Sequence, residues 1–106
     1  MPSERDNSIG DALAGIDRLL EHRARLAVCV LLSRNDRLNF PRLKVLLEET
    51  DGSLGAHMRK LEKAEYVSVE KAFEGRKPVT WYALSNRGRA ALDGHLAAMV
   101  KLIRGE

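Results

Sequence analysis

The sequence predicts a mainly α-helical fold that carries one small β-hairpin. Apolar residues recur at helical spacing through most of the chain. The pattern changes to strict alternation in two runs, residues 66–73 and 80–85, and a basic segment with a glycine and a proline separates them. Strands and helices do not alternate along the chain, so the order of elements argues against a parallel sheet with a nucleotide-binding crevice.

The composition fits a single small domain with an aliphatic core. The chain has 106 residues, of which 44% are hydrophobic, 31% charged and 5% aromatic. We expect residues 1–8 to form a disordered N-terminal tail and residues 9–106 to form the domain. The apolar runs fall well short of the roughly 18 residues that a membrane-spanning helix needs, so no membrane partner is expected. The polar N-terminus and the single cysteine, Cys29, indicate a cytoplasmic protein.

Three helices are predicted in the first half of the chain. The apolar residues of the first helix share one face, and they are Ile9, Leu13, Ile16, Leu19 and Leu20. The second helix, residues 23–34, is apolar nearly all round, which predicts the central helix of the core. After a turn in which Leu38 and Phe40 indicate a short strand, Pro41 suits the first position of a third helix.

The second half is predicted to contain a helix, a hairpin and a final helix. A short turn, TDG, leads into the fourth helix at residues 52–65, which Thr50 or Asp51 is expected to cap. The two alternating runs then form the hairpin, whose loop EGRKPV is expected to be longer than a tight two-residue turn. The last helix spans residues 86–103, and its apolar residues on one side are Leu92, Leu96, Met99 and Ile103.

Positive charge is concentrated in one part of the chain. The net charge of the whole sequence is +3, and residues 51–89, with eight basic and five acidic side chains, contain all of that excess. Two short helices joined by a tight turn form a helix-turn-helix, whose second helix fits the major groove of DNA. We therefore expect this stretch to bind a polyanion.

The candidate DNA-binding residues lie on the polar side of the fourth helix and in the hairpin loop. They are Ser53, Ala56, His57, Arg59, Lys60, Lys63, Arg76 and Lys77. His57 and Arg59 are expected to reach base edges, since arginine suits the N7/O6 edge of guanine. The loop residues Arg76 and Lys77 are expected to neutralise phosphates or to enter the adjacent minor groove. The alternative is that both are ordinary solvated surfaces, which periodicity alone does not distinguish.

Residues 50–92, TDGSLGAHMRKLEKAEYVSVEKAFEGRKPVTWYALSNRGRAAL, contain four sub-patterns. They are S-L-x-x-H-x-x-x-L-E at 53–62, Y-V at 66–67, F-E-G-R-K-P at 73–78 and T-W-Y-x-L-S-x-x-G at 80–88. On these residues the chain, from Ile16 to about Leu102, resembles the compact winged helix-turn-helix transcriptional regulators, relatives of the MarR, ArsR and PadR families. The resemblance implies a three-helix core, a recognition helix at 52–64, a two-stranded wing at 73–80 and a long C-terminal helix used in dimers.

The chain differs from these families in two ways, and the differences limit which of their properties the resemblance implies here. The metal sensors of the ArsR family use a short cysteine-rich motif, whereas this chain has only Cys29, inside an apolar run. MarR proteins are usually longer, and the shorter terminal helices here leave no obvious ligand chamber. The three histidines, His22, His57 and His95, lack the spacing of a zinc site. We therefore expect no metal and no cofactor, and nothing in the sequence identifies a small-molecule effector.

The terminal helices predict a homodimer. Their apolar stripes exceed what a small core covers, and the candidate interface residues are Leu13, Ile16, Leu96, Met99 and Ile103. A twofold dimer places two recognition helices roughly 34 Å apart, on successive major grooves of a palindromic operator in double-stranded DNA. Alternatively, both stripes pack within their own subunit.

The sequence therefore predicts a sequence-specific DNA-binding transcriptional regulator with no catalytic residues. The alternative is a winged-helix module that binds protein and not DNA. A nuclease would need acidic residues that converge on metal ions, and the candidates Asp51, Glu62 and Glu65 lie on one helix and the residues flanking it. Trp81 and Tyr82 are interpreted as packing residues of a strand and not as a platform for stacking bases.

Overall fold

The computed structural model describes residues 4–105, and it confirms the mainly helical fold with a β-hairpin. In chain order the elements are α1 (Glu4–Ala14), a 3₁₀ helix (Arg18–Glu21), α2 (Arg23–Arg34), β1 (Leu38–Asn39), α3 (Phe40–Leu47), α4 (Asp51–Lys63), β2 (Val67–Glu74), β3 (Lys77–Leu84) and α5 (Asn86–Arg104). Within these residues, no helix combines the length and the apolar character needed to span a bilayer.

The N-terminal region differs from the prediction in two ways. Helix α1 begins at Glu4, so the expected tail is already helical there, and residues 1–3 of that tail lie outside the described residues. A polar first turn has no apolar periodicity, and the sequence pattern therefore did not reveal it. The expected continuous helix through Leu20 is also wrong, because α1 ends at Ala14 and a 3₁₀ helix follows. Asp17 caps this 3₁₀ helix by accepting a hydrogen bond from the backbone N–H of Leu19 at 2.9 Å.

Helix α2 is the centre of the core, as its apolar sequence predicts. The buried core side chains are almost all aliphatic, and they are Leu20, Val28, Cys29, Leu32, Leu43, Leu54, Met58, Leu61, Val67, Tyr82 and Leu92. Cys29 is completely buried, and burial raises the pKa of its thiol to about 11. A buried neutral thiol is a packing group and not a nucleophile.

A left-handed residue makes the turn between α3 and α4, in place of the expected glycine. Glu48 has a φ of 53°, and Gly52 lies inside α4 instead. The backbone N–H groups of Glu48 and Glu49 donate to the carbonyls of Val45 and Lys44 at 3.3 and 3.2 Å. This pair of bonds is the Schellman arrangement that ends many helices, and it allows a turn of only three residues between the two helices.

The hairpin is tighter than the sequence predicts. The three strands are antiparallel in the order β1-β3-β2, and the β2–β3 register runs from Val67 opposite Leu84 to Glu74 opposite Lys77. Only two residues then form the turn, and the first, Gly75, has a φ of 65° as a type II′ turn requires. The predicted longer loop is wrong because Pro78 is part of β3. It lies beyond the residues that pair with β1, where a missing N–H leaves no ladder bond unmade.

Candidate nucleic-acid interface

Helix α4 separates its apolar and basic residues onto opposite sides. Leu54, Met58 and Leu61 are buried against the core. At 100° per residue, the opposite side is centred on Ala56 and Lys63, with Arg59 and Lys60 on its two flanks. The helix begins at Thr50, whose hydroxyl accepts a hydrogen bond from the backbone N–H of Ser53 at 3.1 Å. The predicted cap and buried stripe are therefore confirmed.

The small residues of α4 leave room at its surface. Gly52 has no atom within 4 Å of the position that a Cβ would take. A Cβ on Gly55 would meet only the Nη1 atom of Arg59, at 3.3 Å. Arg59 thus lies back along the helix over Gly55, in the direction that helical side chains take. Its flexible tip can move away toward a ligand without a cost in packing.

His57 is engaged within the chain, which the sequence did not indicate. Its ring lies against that of His22, with centroids 4.2 Å apart, and its Nδ1 is 3.1 Å from Nη1 of Arg25. Because arginine only donates, this contact makes Nδ1 of His57 the acceptor. Burial, followed by the charges of His22 and Arg25, lowers the pKa of His57. His57 therefore links α4 to the N-terminus of α2 in its neutral form.

The turn from α4 to β2 is held by the start of α5. Glu65 has a φ of 64°, and its backbone carbonyl accepts a hydrogen bond from the hydroxyl of Ser85 at 2.6 Å. The backbone N–H of Ser85 donates to the carbonyl of Tyr66 at 3.0 Å, and its hydroxyl oxygen accepts from the N–H of Gly88 at 2.9 Å. We call these three bonds the Ser85 contacts. They tie the end of α4, the start of β2 and the start of α5 together at one point.

A second set of hydrogen bonds joins the same turn to the N-terminal region. The hydroxyl of Tyr66 donates to the carboxylate of Asp17. The backbone N–H of Asp17 donates to Nδ1 of His95 at 3.0 Å, and His95 is buried on α5. Burial and the hydrogen bond to Asp17 raise the pKa of Tyr66 to about 12. The bond from Asp17 gives the buried His95 a polar partner, which explains why a histidine is tolerated in the core.

The hairpin presents basic side chains at its tip. Arg76 and Lys77 are exposed, as is Lys71. Tyr82 is buried in the core, whereas the ring of Trp81 lies under the guanidinium of Arg37 at 4.0 Å from its centroid. Both aromatic residues of β3 therefore pack within the chain, as expected.

The basic residues of α4 and the hairpin have no acidic partner among the side chains that the structure describes. The ion pairs found there are Arg37–Glu70 at 3.7 Å, Lys44–Asp51 at 3.0 Å and Arg87–Glu65 at 3.3 Å. None of them includes a predicted DNA-binding residue. Those cations are therefore not neutralised by the acids nearby, and their charge is directed to solvent.

The acidic residues considered for a nuclease do not form a metal centre. Asp51 pairs with Lys44, and Glu65 pairs with Arg87. Throughout the part of the chain that the structure describes, no group of three histidine, cysteine, aspartate or glutamate side chains has a geometry suited to a metal ion.

An apolar surface extends over α1 and α5. Four of the five residues predicted for a dimer interface are exposed, namely Leu13, Leu96, Met99 and Ile103, and Ile9 and Val100 extend this surface. Ile16 is half-buried instead and contributes to a groove of about 310 Å³ beside Leu13 and Met99. The two helices pack closely, since Ala98 Cβ lies 3.0 Å from where a Cβ on Gly15 would be.

A family model described as a winged helix DNA-binding domain matches residues 24–103. The chain belongs to this family. A relative from Methanocaldococcus jannaschii, described as an uncharacterized protein, is 30% identical over 78 residues, which cover 74% of this chain and 85% of that protein.

Two solved structures have the same winged-helix fold. A transcriptional regulator homologue from Pyrococcus horikoshii OT3 has a TM-score of 0.78 at 23% identity and covers 97% of both chains. An ArsR family transcriptional regulator has a TM-score of 0.57 at 24% identity and covers 92% of this chain and 95% of that chain.

Proposed function

We propose that this winged-helix protein is a sequence-specific transcriptional regulator that binds double-stranded operator DNA as a homodimer. The observation that carries the proposal is the set of basic side chains on α4 and the hairpin with no acidic partner among the described residues. Uncompensated surface cations favour a polyanion, because each phosphate that they neutralise releases counterions. A module that binds only protein has no need of positive charge at both places.

Helix α4 is the proposed recognition helix. Ser53 and Ala56, with the two glycines of the helix, let its backbone approach the floor of the major groove, and Arg59 supplies a guanidinium for guanine. Lys60 and Lys63 lie further along and contact phosphates. His57 remains in the proposal with a specific geometry. Arg25 occupies its Nδ1, which leaves Nε2 as the atom that faces a base.

The hairpin is the proposed wing. Arg76 and Lys77 neutralise phosphates beside the minor groove that adjoins the recognition site. Because β2 follows α4 after a turn that the Ser85 contacts hold, the wing keeps a fixed position relative to the recognition helix.

The homodimer is proposed from the apolar surface of α1 and α5. Ile103 is 77% exposed and Leu13 is 54% exposed, and a contiguous apolar surface of this kind marks an interaction site. A twofold partner that covers it places two recognition helices on successive major grooves, roughly 34 Å apart, which predicts a palindromic operator. A monomeric mass by light scattering at micromolar concentration would contradict this part of the proposal.

Selection of bound fragments from a genomic library with the purified protein tests DNA binding and identifies the site together. We expect an enriched palindrome. If no fragment is enriched, the proposal is wrong and a protein-binding module becomes the better interpretation.

The salt dependence of binding then tests which surface is used. Replacing Arg76 and Lys77 with alanine is expected to reduce the slope of log affinity against log salt by about one unit per lost phosphate contact. Lys101→Ala, near the far end of α5, is the matched control and should leave the slope unchanged. Arg59→Ala should change the preferred sequence as well as the affinity. An unchanged slope with an unchanged preference would mean that another face of the protein binds DNA.

A further inference from the structure

The two faces of the hairpin differ in chemistry. Side chains alternate between the faces of a strand, and the register of the strands then assigns each residue to a face. The core-side face begins with the buried Val67 and Tyr82 and continues outward with Lys71, Thr80, Phe73 and Pro78. The outer face contains Glu70 and Glu74. The contacts of Arg37 with both Glu70 and Trp81 agree with this assignment of the outer face.

The core-side face therefore has a lysine and an aromatic ring but no acidic residue. Both acids of β2 lie on the other face, where Glu70 pairs with Arg37 and Glu74 lies opposite Lys77, so the positive charge on that face is offset. A polyanion that approaches the hairpin is consequently directed to the side on which Phe73 lies.

Phe73 is far from the core on which its own face packs. The residues of β3 that pair with β1 are Trp81 and Tyr82. From Trp81 toward the turn, the hairpin continues as a two-stranded ribbon without a third strand beside it. From Glu70, opposite Trp81, to Glu74 this ribbon is about 13 Å long at the usual rise per residue. The ring of Phe73 is 73% exposed, and its cross-strand partner is Pro78, which is exposed as well.

We propose that Phe73, supported by Pro78, is an apolar wedge that enters the DNA minor groove and packs into a base step. This inference rests on the DNA-binding function proposed above. An exposed phenyl ring has no hydrogen bond to offer a phosphate or a base edge, so its contribution comes from leaving water. Phe and Pro side chains act in this way when minor-groove proteins unstack a base step.

The basic residues beside the ring make the wedge specific for DNA. Lys71 lies on the same face, and Arg76 lies in the turn next to it. Together they place cations on the phosphates on either side of a groove that is about 6 Å wide. The affinity then depends on the free energy needed to open a base step, and this cost is lowest for flexible pyrimidine–purine steps. Phe73 therefore selects among sequences at positions where no hydrogen bond reads a base.

The test compares Phe73→Ala and Phe73→Leu with Val79→Ala, which removes an apolar group from the outer face of the same hairpin. The DNA is the palindrome selected by the unmodified protein, with 2-aminopurine placed in turn at each step beside the half-site. We expect Phe73→Ala to weaken binding about tenfold to a hundredfold, the equivalent of burying one aromatic side chain. The salt slope should not change, because no phosphate contact is lost. Phe73→Leu should restore part of the affinity, and Val79→Ala should bind like the unmodified protein.

The fluorescence of 2-aminopurine distinguishes a wedge from simple surface contact. The unmodified protein should raise the emission at one step on each side of the palindrome, and Phe73→Ala should abolish that rise. Three results would each overturn the wedge and leave the proposed function intact. They are an affinity of Phe73→Ala within twofold of that of the unmodified protein, a salt slope changed by Phe73→Ala, and a 2-aminopurine emission that Phe73→Ala does not change. A Phe73→Ala protein that becomes monomeric would assign the ring to a contact between subunits instead. If the unmodified protein binds no DNA, both proposals are wrong.

Discussion

Gly88 lies where α5 closely approaches the turn that follows α4. A Cβ at this position would be 2.1 Å from the carbonyl oxygen of Tyr66 and 2.7 Å from a methyl carbon of Leu84. Close carbon–oxygen contacts in proteins are usually about 3.3–3.6 Å. The Gly88→Ala substitution therefore requires the first turn of α5 to move by about 1 Å, and the obstacle is backbone, which does not rotate away.

That movement acts on the Ser85 contacts. The N–H of Ser85 donates to the same Tyr66 carbonyl at 3.0 Å, and the Ser85 hydroxyl caps the helix at Gly88. We estimate about 1–3 kcal/mol for overpacking and about 1 kcal/mol for each weakened hydrogen bond. The better helix propensity of alanine returns about 1 kcal/mol. The net loss is then about 2–4 kcal/mol, or a decrease in Tm of roughly 10–30 °C for a domain of this size.

Urea unfolding followed by far-UV circular dichroism measures this loss, with the protein concentration held constant because the proposed dimer would contribute to stability. Gly94→Ala is the matched control. It lies on the same helix, has no atom within 4 Å of its Cβ position, and should gain about 0.5–1 kcal/mol. A Gly88→Ala protein that unfolds at the same or a higher urea concentration than the unmodified protein would refute the close approach of α5 to the turn.

Three further predictions concern single residues. The pKa of His57 is lowered from 6.5 in the folded chain, so the unfolded chain binds more protons below about pH 6.5. The free energy of unfolding should therefore fall as the pH drops through this window. When urea unfolding is measured at pH 7.5 and at pH 5.5, the decrease between the two should be smaller for His57→Gln than for the unmodified protein. Cys29 is completely buried, and its pKa is raised to about 11. It should therefore react with a disulfide reagent at pH 8 only as fast as the protein unfolds. Rapid labelling of the native protein would contradict this burial. Glu48→Gly replaces a glutamate that has a left-handed backbone conformation. The substitution should raise the free energy of unfolding by about 1 kcal/mol, which would be seen as a Tm higher by roughly 4–8 °C. An unchanged or lower Tm would show that Glu48 makes a compensating contact.

The sequence predicted those elements whose signals are local. Helix α2 has the bounds that its apolar run indicates, and α5 begins where Ser85 caps it. The buried stripe of α4 was also predicted, because one helix face packs on the core and helical periodicity reports that face directly.

The missed features depend on contacts between distant parts of the chain. His57 has the sequence pattern of a surface residue, and only the fold brings His22 and Arg25 against it. The register places Phe73 on the core-side face of its strand, yet the ribbon extends past the core and leaves Phe73 exposed. The wing turn was misread because Gly75 and Pro78 both signal a break, whereas only Gly75 is in the turn.

The Ser85 contacts join α5 directly to the turn between α4 and β2. Ser85 caps α5 and bonds Glu65 and Tyr66, two of the three residues between α4 and β2. If two copies associate through α5, a small rotation of one α5 helix across the other should also move α4 and the hairpin, which are proposed to bind DNA. The crossing angle of the paired α5 helices then sets the length of operator that fits. A substitution in the contact between these helices can therefore change the spacing of half-sites without altering any residue proposed to contact DNA.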